Sequence, residues 1–260
     1  VLETFESVVR DVLQEVNGEV PFDKIQRMTF DEAMERYGVD KPDLRFDLPL
    51  HNLNDVVKGV EFRVFSDALS TGGIVNALVV KGAASSSRKE IDGWTEVAKR
   101  LGAKGLAWAK VKEGTGRESW QSPIAKFIPD ETIDAIHKHC GAEVGDLILF
   151  GAGPWEETKA FLGGLRNHLG ATFNLFDPKE LRFVWIVDFP LMEFDHNGQR
   201  WIARHHPFTM PVPEDVDKLT SDPGAVRAAA YDLVLNGHEI AGGSVRIHDE
   251  NLQKQQFAAF

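Results

Sequence analysis

Apolar side chains recur at Val1, Phe5, Val8, Val9, Val12, Leu13 and Val16, the three-to-four spacing of a helix with one buried stripe. Asn17-Gly18 ends that pattern as a C-terminal cap. Thr29 and Glu32 are spaced as a capping box for a short helix closing before Gly38, and the polar Asp40-Lys41-Pro42-Asp43 stretch reads as a loop. Phe62–Phe65 and Ile74–Val80 are strand-like, and Leu106–Val111 and Leu147–Phe150 read as buried strands. Ser87 and Glu90 cap a helix that places Ile91, Trp94, Ala98 and Leu101 on one side, with Gly102 closing it. Asp130–His139 and Glu156–His168 complete a compact α+β module that runs to about Gly170. The character then changes. Phe183–Val187 is an apolar strand, Met192–Phe194 and Gln199–Ala203 flank an Asp195–Gly198 turn, and a helix is expected from about Glu214. The predicted fold class is α+β.

Composition narrows the classes. At 260 residues, 43% hydrophobic and 27% charged, the chain can bury a sizeable core. No apolar run approaches the roughly eighteen residues of a membrane span, so no membrane partner is expected. The single cysteine, Cys140, forms no intrachain disulfide and fits a reducing cytoplasm; it reads as a half-buried helix-end thiol. With no second cysteine nearby, His137 and His139 are not read as a zinc site. A net charge of −11 argues against nonspecific nucleic-acid binding by the whole surface. Arg88, Lys89, Lys99, Arg100 and Lys104 are the most basic cluster, read as a solvated helix face. Gly114-x-Gly116 lacks a following helix and reads as a surface turn, not a phosphate loop.

The candidate chemistry lies near the end of the chain, in NGHEIAGGSVRIHD (Asn236–Asp249) and the preceding His205–Thr209 run. An Asn-Gly hairpin turn pairs Leu235 with His238 and Val234 with Glu239. Alternation along the strands then puts Asp232 and Glu239 on one face. Arg246 has the wrong parity unless one extra residue intervenes, and Gly242-Gly243 is where a bulge is expected. Two carboxylates on a rigid sheet suit Mg²⁺ and a triphosphate, and an arginine fork suits a carboxylate. An exposed polar sheet face is the plain alternative. His205 and His206 fall on a loop between strand and helix, where binding groups are common.

FVWIVDFPLMEFD (Phe183–Asp195), RHHPFTMP (Arg204–Pro211) and AYDLVLNGHEIAGGSVRIHD (Ala230–Asp249) resemble the later catalytic core of bacterial-type aspartyl-tRNA synthetases. MTFDEAMERYGVDKPDLRF (Met28–Phe46) resembles the same family before its bacterial insertion. The stretch carrying SSSRKEID (Ser85–Asp92), AKGLAWAKV (Ala103–Val111) and SPIAKF (Ser122–Phe127) resembles that insertion, a module shared with the B subunit of the tRNA-dependent amidotransferase. The resemblance implies part of a class II antiparallel active-site sheet with flanking helices, interrupted by a compact α+β insertion domain. It divides the chain into core residues 1–46, insertion 47–170 and core 171–260. It assigns Arg246 to the aspartate side-chain carboxylate, Asp232 and Glu239 to ATP and its Mg²⁺, and His205 and His206 to orienting the amino acid. It names no residue here as catalytic in itself. Where the family usually shows three glycines, the first is Ala241, whose methyl is expected to narrow the approach to nucleotide or substrate.

The family's phosphate-binding arginines lie in a Phe-Arg-x-Glu and a Gly-Leu-x-Arg segment, and neither occurs between Val1 and Phe260. The chain is therefore expected to be an internal piece of a longer synthetase and inactive alone, since in-line attack needs fixed positive charge at the developing anion. The parent is expected to be a homodimeric aspartate–tRNA ligase using ATP, aspartate and aspartate tRNA; whether asparagine tRNA is also charged stays open. The alternative is a catalytically dead module that binds tRNA or the amidotransferase. An asparagine-specific relative on the same sheet is the weaker third reading.

Overall fold

Asn17-Gly18 closes the first helix as its composition requires: Gly18 adopts φ 74° and its N–H reaches Gln14 O. The structure is a computed structural model describing all residues from 1 to 260. In chain order its elements begin with α1 (Leu2–Asn17), β1 (Gln26–Thr29), α2 (Phe30–Tyr37) and β2 (Leu50–Asn52). They continue with α3 (Arg63–Ser70), β3 (Ile74–Val80), α4 (Arg88–Arg100), β4 (Ala107–Val111) and β5 (Trp120–Gln121). Next come α5 (Asp130–Cys140), β6 (Leu147–Gly153), α6 (Trp155–Thr172) and β7 (Phe183–Val187). The last are β8 (Met192–Asp195), β9 (Arg200–Ala203), α7 (Lys218–Ser221), β10 (Ala230–Leu235), β11 (His238–Ser244) and α8 (Glu250–Ala259).

These elements fall into two compact units. The first comprises Val1–Ala33, Lys41–Arg45 and Lys179–Phe260. Its sheet runs β1-β7-β10-β11, with β1 parallel to β7 and the remaining pairs antiparallel. β8 and β9 form a separate hairpin. Ile25, Phe183, Trp185 and Leu233 centre a core on one sheet face. α1 packs there through Leu2, Val9 and Leu13, while buried Glu6 accepts a hydrogen bond from Trp185 Nε1 at 3.0 Å. The expected stripe is thereby corrected: Val1, Phe5, Val8, Val12 and Val16 are exposed. Leu2, Glu6, Val9 and Leu13 have equally helical spacing, and the indole's need for an acceptor favours the face carrying Glu6.

The second unit comprises Met34–Asp40 and Phe46–Pro178, and its sheet order is β2-β3-β6-β4-β5, every pair antiparallel. All seven residues of β3 are buried, because both sheet faces are covered. Leu78, Val80, Leu149, Trp94 and Leu165 belong to one core, whereas Val75, Ala77, Ile148, Phe65 and Ile133 belong to the other. The capping box of α4 forms in full: Ser87 Oγ accepts from Glu90 N, and Glu90 Oε2 accepts from Ser87 N.

Three element expectations change. Phe62–Phe65 is not a strand: residues 63–70 form α3, with Phe65 and Ala68 buried and Phe62 stacked edge-on against Phe65. Phe65 and Ala68 share the buried face of this helix at a three-residue spacing. Leu101 lies at the C-cap of α4 and is exposed, outside the stripe formed by Ile91, Trp94 and Ala98. The helix expected from Glu214 is a 3-10 turn at Pro213–Asp215 followed by the single turn of α7. Asp215 is buried there and takes hydrogen bonds from Arg227 and Lys218, which hold its carboxyl well below the usual carboxylate range.

Candidate functional site

The hairpin of β10 and β11 builds the site. Asn236 (φ 52°) and Gly237 (φ 85°) make its two-residue turn, and Leu235↔His238 and Val234↔Glu239 are the observed pairs. Asn236 is held in that left-handed conformation by its side chain, which donates to Glu180 O and accepts from Arg182 N. The extra residue exists, but two positions before the expected Gly242-Gly243. The register shifts between Leu233 and Val234, so Leu233 faces Ala241 and Ile240 is the unpaired residue. Asp232 then pairs with Gly242 and Ala230 with Ser244. Parity beyond Ile240 is inverted, which returns Gly242 and Ser244 to the face of Asp232 and Glu239.

Gly242 explains why glycine stands there. A Cβ added at that position would collide with Asp232 Oδ1 and lie 3.2 Å from Glu239 Oε1. The two carboxylates therefore converge over a backbone without a side chain. A methyl would fill the space a small cation needs. Glu239 Oε2 also receives Lys41 Nζ at 2.7 Å, from the Lys41–Arg45 segment of the same unit. That lysine already demonstrates the position's preference for positive charge. No group of three or more His, Cys, Asp or Glu side chains converges on a metal position. Two carboxylates fit Mg²⁺ that arrives with its own phosphate and water ligands, rather than a cation caged by protein.

Ala241 is corrected by the same register. Its methyl packs with Leu233 and Trp185 on the α1 side of the sheet, away from the carboxylates. It narrows nothing at their face.

Arg246 lies beyond β11, bridged through its backbone to Thr209. Flanking backbone bonds from Met210 N to Val245 O and Ile247 N to Phe208 O fasten this segment to the loop carrying the histidines. Ser244 Oγ and Thr209 Oγ1 lie 3.3 Å apart, and buried Gln256 of α8 donates to Pro207 O and Thr209 O. The loop is thus tied down from two sides. The Arg246 side chain is exposed and makes no hydrogen bond or ion pair.

The adjacent histidines diverge. The His205 ring stands edge-on to buried Phe189, with centroids 4.9 Å apart. His206 Nδ1 accepts from Phe208 N at 3.1 Å, so its proton resides on Nε2, and its carbonyl accepts from Thr209 N. Sequence reasoning treated the two as a pair, although only the loop's own hydrogen bonds distinguish them. It also missed Lys41, which is far from Glu239 in the chain and carries no local signal.

Other candidates resolve as ordinary structure. Arg88 pairs with Asp92 and Lys99 with Glu96, which reduces the basic cluster on α4. Gly116 N donates to Asp134 Oδ1 and Arg117 N to Asp130 Oδ1, so the Gly114-x-Gly116 turn gives its N–H groups to carboxylates. Cys140 is buried, not half-buried, and burial pushes its thiol up to about 12. His137 Nε2 accepts from Trp120 Nε1. No helix is long and apolar enough to cross a membrane.

Comparison with known proteins places this geometry. An aspartate–tRNA ligase of Halalkalibacterium halodurans is 50% identical over 258 residues, covering 98% of this chain and 42% of that protein. An aspartate–tRNA(Asp/Asn) ligase of Geotalea uraniireducens is 49% identical over 257 residues, covering 99% of this chain and 43% of that protein. An aspartate–tRNA ligase of Clostridium perfringens is 49% identical over 253 residues, covering 97% and 42%. The chain thus spans about two fifths of the length of the curated relatives it matches. The family described as tRNA synthetases class II (D, K and N) matches residues 1–260 throughout. With its core, hairpin and polar face accounted for, the chain belongs to the class II tRNA synthetases of the D, K and N group.

Proposed function

We propose that this chain is the part of an aspartate–tRNA ligase that binds aspartate and the metal-bound phosphates of ATP. The observation that carries the reading is the convergence of Asp232 and Glu239 over Gly242, with Arg246 unpaired on the same hairpin's extension. Asp232 and Glu239 would hold Mg²⁺, which would supply charge neutralisation and orientation of the triphosphate. Arg246 grips the side-chain carboxylate of aspartate with two parallel hydrogen bonds. Asparagine is disfavoured, because its neutral amide leaves that guanidinium without a counter-charge. His205 and His206 orient the amino acid, His206 through the Nε2–H that its Nδ1 bond leaves outward. The aspartate α-carboxylate attacks the α-phosphorus and pyrophosphate leaves; a terminal ribose hydroxyl of tRNA then attacks the carbonyl of the resulting aspartyl-adenylate, and AMP leaves.

The four-stranded sheet corresponds on this reading to part of the class II active-site sheet, and the five-stranded unit to the bacterial insertion. The parent enzyme is cytoplasmic and homodimeric, and charges aspartate tRNA; relatives named for both aspartate and asparagine tRNA make the dual substrate range an equal candidate. This chain alone lacks the phosphate-binding arginine segments and is expected to be inactive. The test is aspartate-dependent ATP–pyrophosphate exchange by the longer enzyme that contains this segment. Arg246→Ala is expected to raise the aspartate KM at least about a hundredfold while leaving the ATP KM within about threefold. Near-normal aspartate kinetics would remove Arg246 from the role.

A further inference from the structure

The five-stranded unit contains a cavity of about 620 Å³, within the range of about 300–1,000 Å³ typical of small-molecule sites. Phe65 and Ala68 of α3, Leu106, and Phe150 and Phe161 give it apolar walls, while Lys104 and Asp67 stand exposed at its edge. The polar feature inside comes from the backbone. β6 lies between β3 and β4 and alternates its N–H and C=O groups between them.

Two ladders fix the phase of that alternation. Val75, which pairs with Ala152, directs its own groups away from β6: its C=O accepts from Leu53 N at 2.8 Å and its N–H donates to Asn54 Oδ1 at 2.8 Å. Ala152 therefore faces the β4 side. On that side Val111 bonds to Asp146 O and Gly145 N, so Ala109 and Ala107 turn toward Ile148 and Phe150, and Ala152 follows in the same parity. But β4 begins at Ala107, opposite Phe150. The N–H and C=O of Ala152 thus project into the cavity where no strand residue stands opposite them. Ala152 is half-buried, and its donor and acceptor stand side by side with no strand opposite, so a ligand bearing the complementary pair can bond to both at once.

An added β-strand is a poor match for this edge. The next residue of the same parity is Pro154, which has no N–H, so a strand would find a single residue to pair with. A flat ring with one donor beside one acceptor fits better. We propose that this cavity is a nucleobase site, with the base edge bonded to Ala152 and its faces against the apolar walls, and with Lys104 near any attached phosphate. Adenine offers such an edge through N6–H and N7. The base is either that of a free nucleotide or an unstacked base of an RNA strand, and the two share this chemistry.

The test is a titration of the full chain, labelled with nitrogen-15, by adenosine, AMP, a single-stranded cytidine-cytidine-adenosine trinucleotide and benzene, following assigned amides by NMR. The Ala152 and Leu106 amides are expected to shift with adenosine, and shifts around Asp232 and Glu239 would report the other unit separately. Ala152→Pro, which removes the donor, is expected to weaken adenosine binding about tenfold and leave benzene binding unchanged. Ala68→Phe, which fills the cavity from α3 and leaves β6 intact, is expected to abolish the adenosine shift at Ala152. Tighter binding of the trinucleotide than of AMP assigns the site to RNA; equal binding assigns it to free nucleotide. No Ala152 shift with adenosine at its solubility limit, equal affinity for benzene and adenosine with neither altered by Ala152→Pro, or a persisting Ala152 shift in Ala68→Phe would each overturn the proposal.

Discussion

The two units differ in which charges they bury: the four-stranded unit buries only acids, Glu6, Asp43 and Asp215, whereas the five-stranded unit buries Asp146 and two cations. Arg166 is fully buried, donates to Leu48 O and Phe46 O at 2.9 Å each, and lies over the Phe46 ring at 4.0 Å. Lys159 is likewise buried and reaches Glu35 Oε2 at 2.7 Å and Glu35 O at 3.1 Å. In the four-stranded unit Arg246, His205 and His206 are exposed, and Glu239 is only partly covered beside Lys41. A buried ion must be answered by the fold itself, because desolvating it alone is prohibitive. An exposed cluster on a rigid sheet contributes little to folding, and on the proposed reading its value lies in binding.

That contrast can be broken at its strongest point first. Arg166→Met should destabilise the five-stranded unit by about 3 kcal/mol, since two buried carbonyls lose their donors and the ring contact goes. Urea unfolding followed by tryptophan fluorescence measures it, and a loss below about 1 kcal/mol would mean that the arginine does not carry the fold. Gly242→Val tests the other side. Its Cβ collides with Asp232 Oδ1, so the longer enzyme should lose at least about tenfold in its affinity for Mg²⁺ and ATP while its melting temperature changes little. A large drop in melting temperature with unchanged affinity would reverse the assignment.

Glu35→Gln should cost about 1–2 kcal/mol, because it keeps a polar partner for Lys159 but removes the counter-charge. The smallest effect is a pH slope. Burial lowers His137 below the usual histidine value of about 6.5, and burial together with the charge of His139 does the same to His51. The unfolded chain therefore takes up these protons first as pH falls. Stability is full above about pH 6.5 and declines below it, levelling off once the folded histidines also protonate. Melting curves between pH 7.5 and 5.5 should show the decline, and His137→Gln should flatten it. An unchanged slope would move its origin to His51 or to other groups.

Much of this architecture was legible from local signals. The Ser87–Glu90 box, the Asn236-Gly237 turn and the run Ile74–Val80 each carry their instructions within a few residues. The hairpin even placed Asp232 beside Glu239, because strand parity is arithmetic. The errors came where partners lie far away. The apolar stripe of α1 and its packed face have the same period, and only the indole of Trp185 selects the side carrying Glu6. The three-residue spacing at Phe62–Phe65 is too short to separate helix from strand.

The sequence by itself determined the α+β class, most elements, the hairpin turn and the family, since these rest on neighbouring residues and on long ordered motifs. Tertiary structure alone decided that the bulge falls at Ile240, that Ala241 turns toward the core, that Lys41 meets Glu239, and that β4 stops short of Ala152. Each of these depends on which distant group must be buried, paired or avoided, and such competition is settled only when the strands are packed.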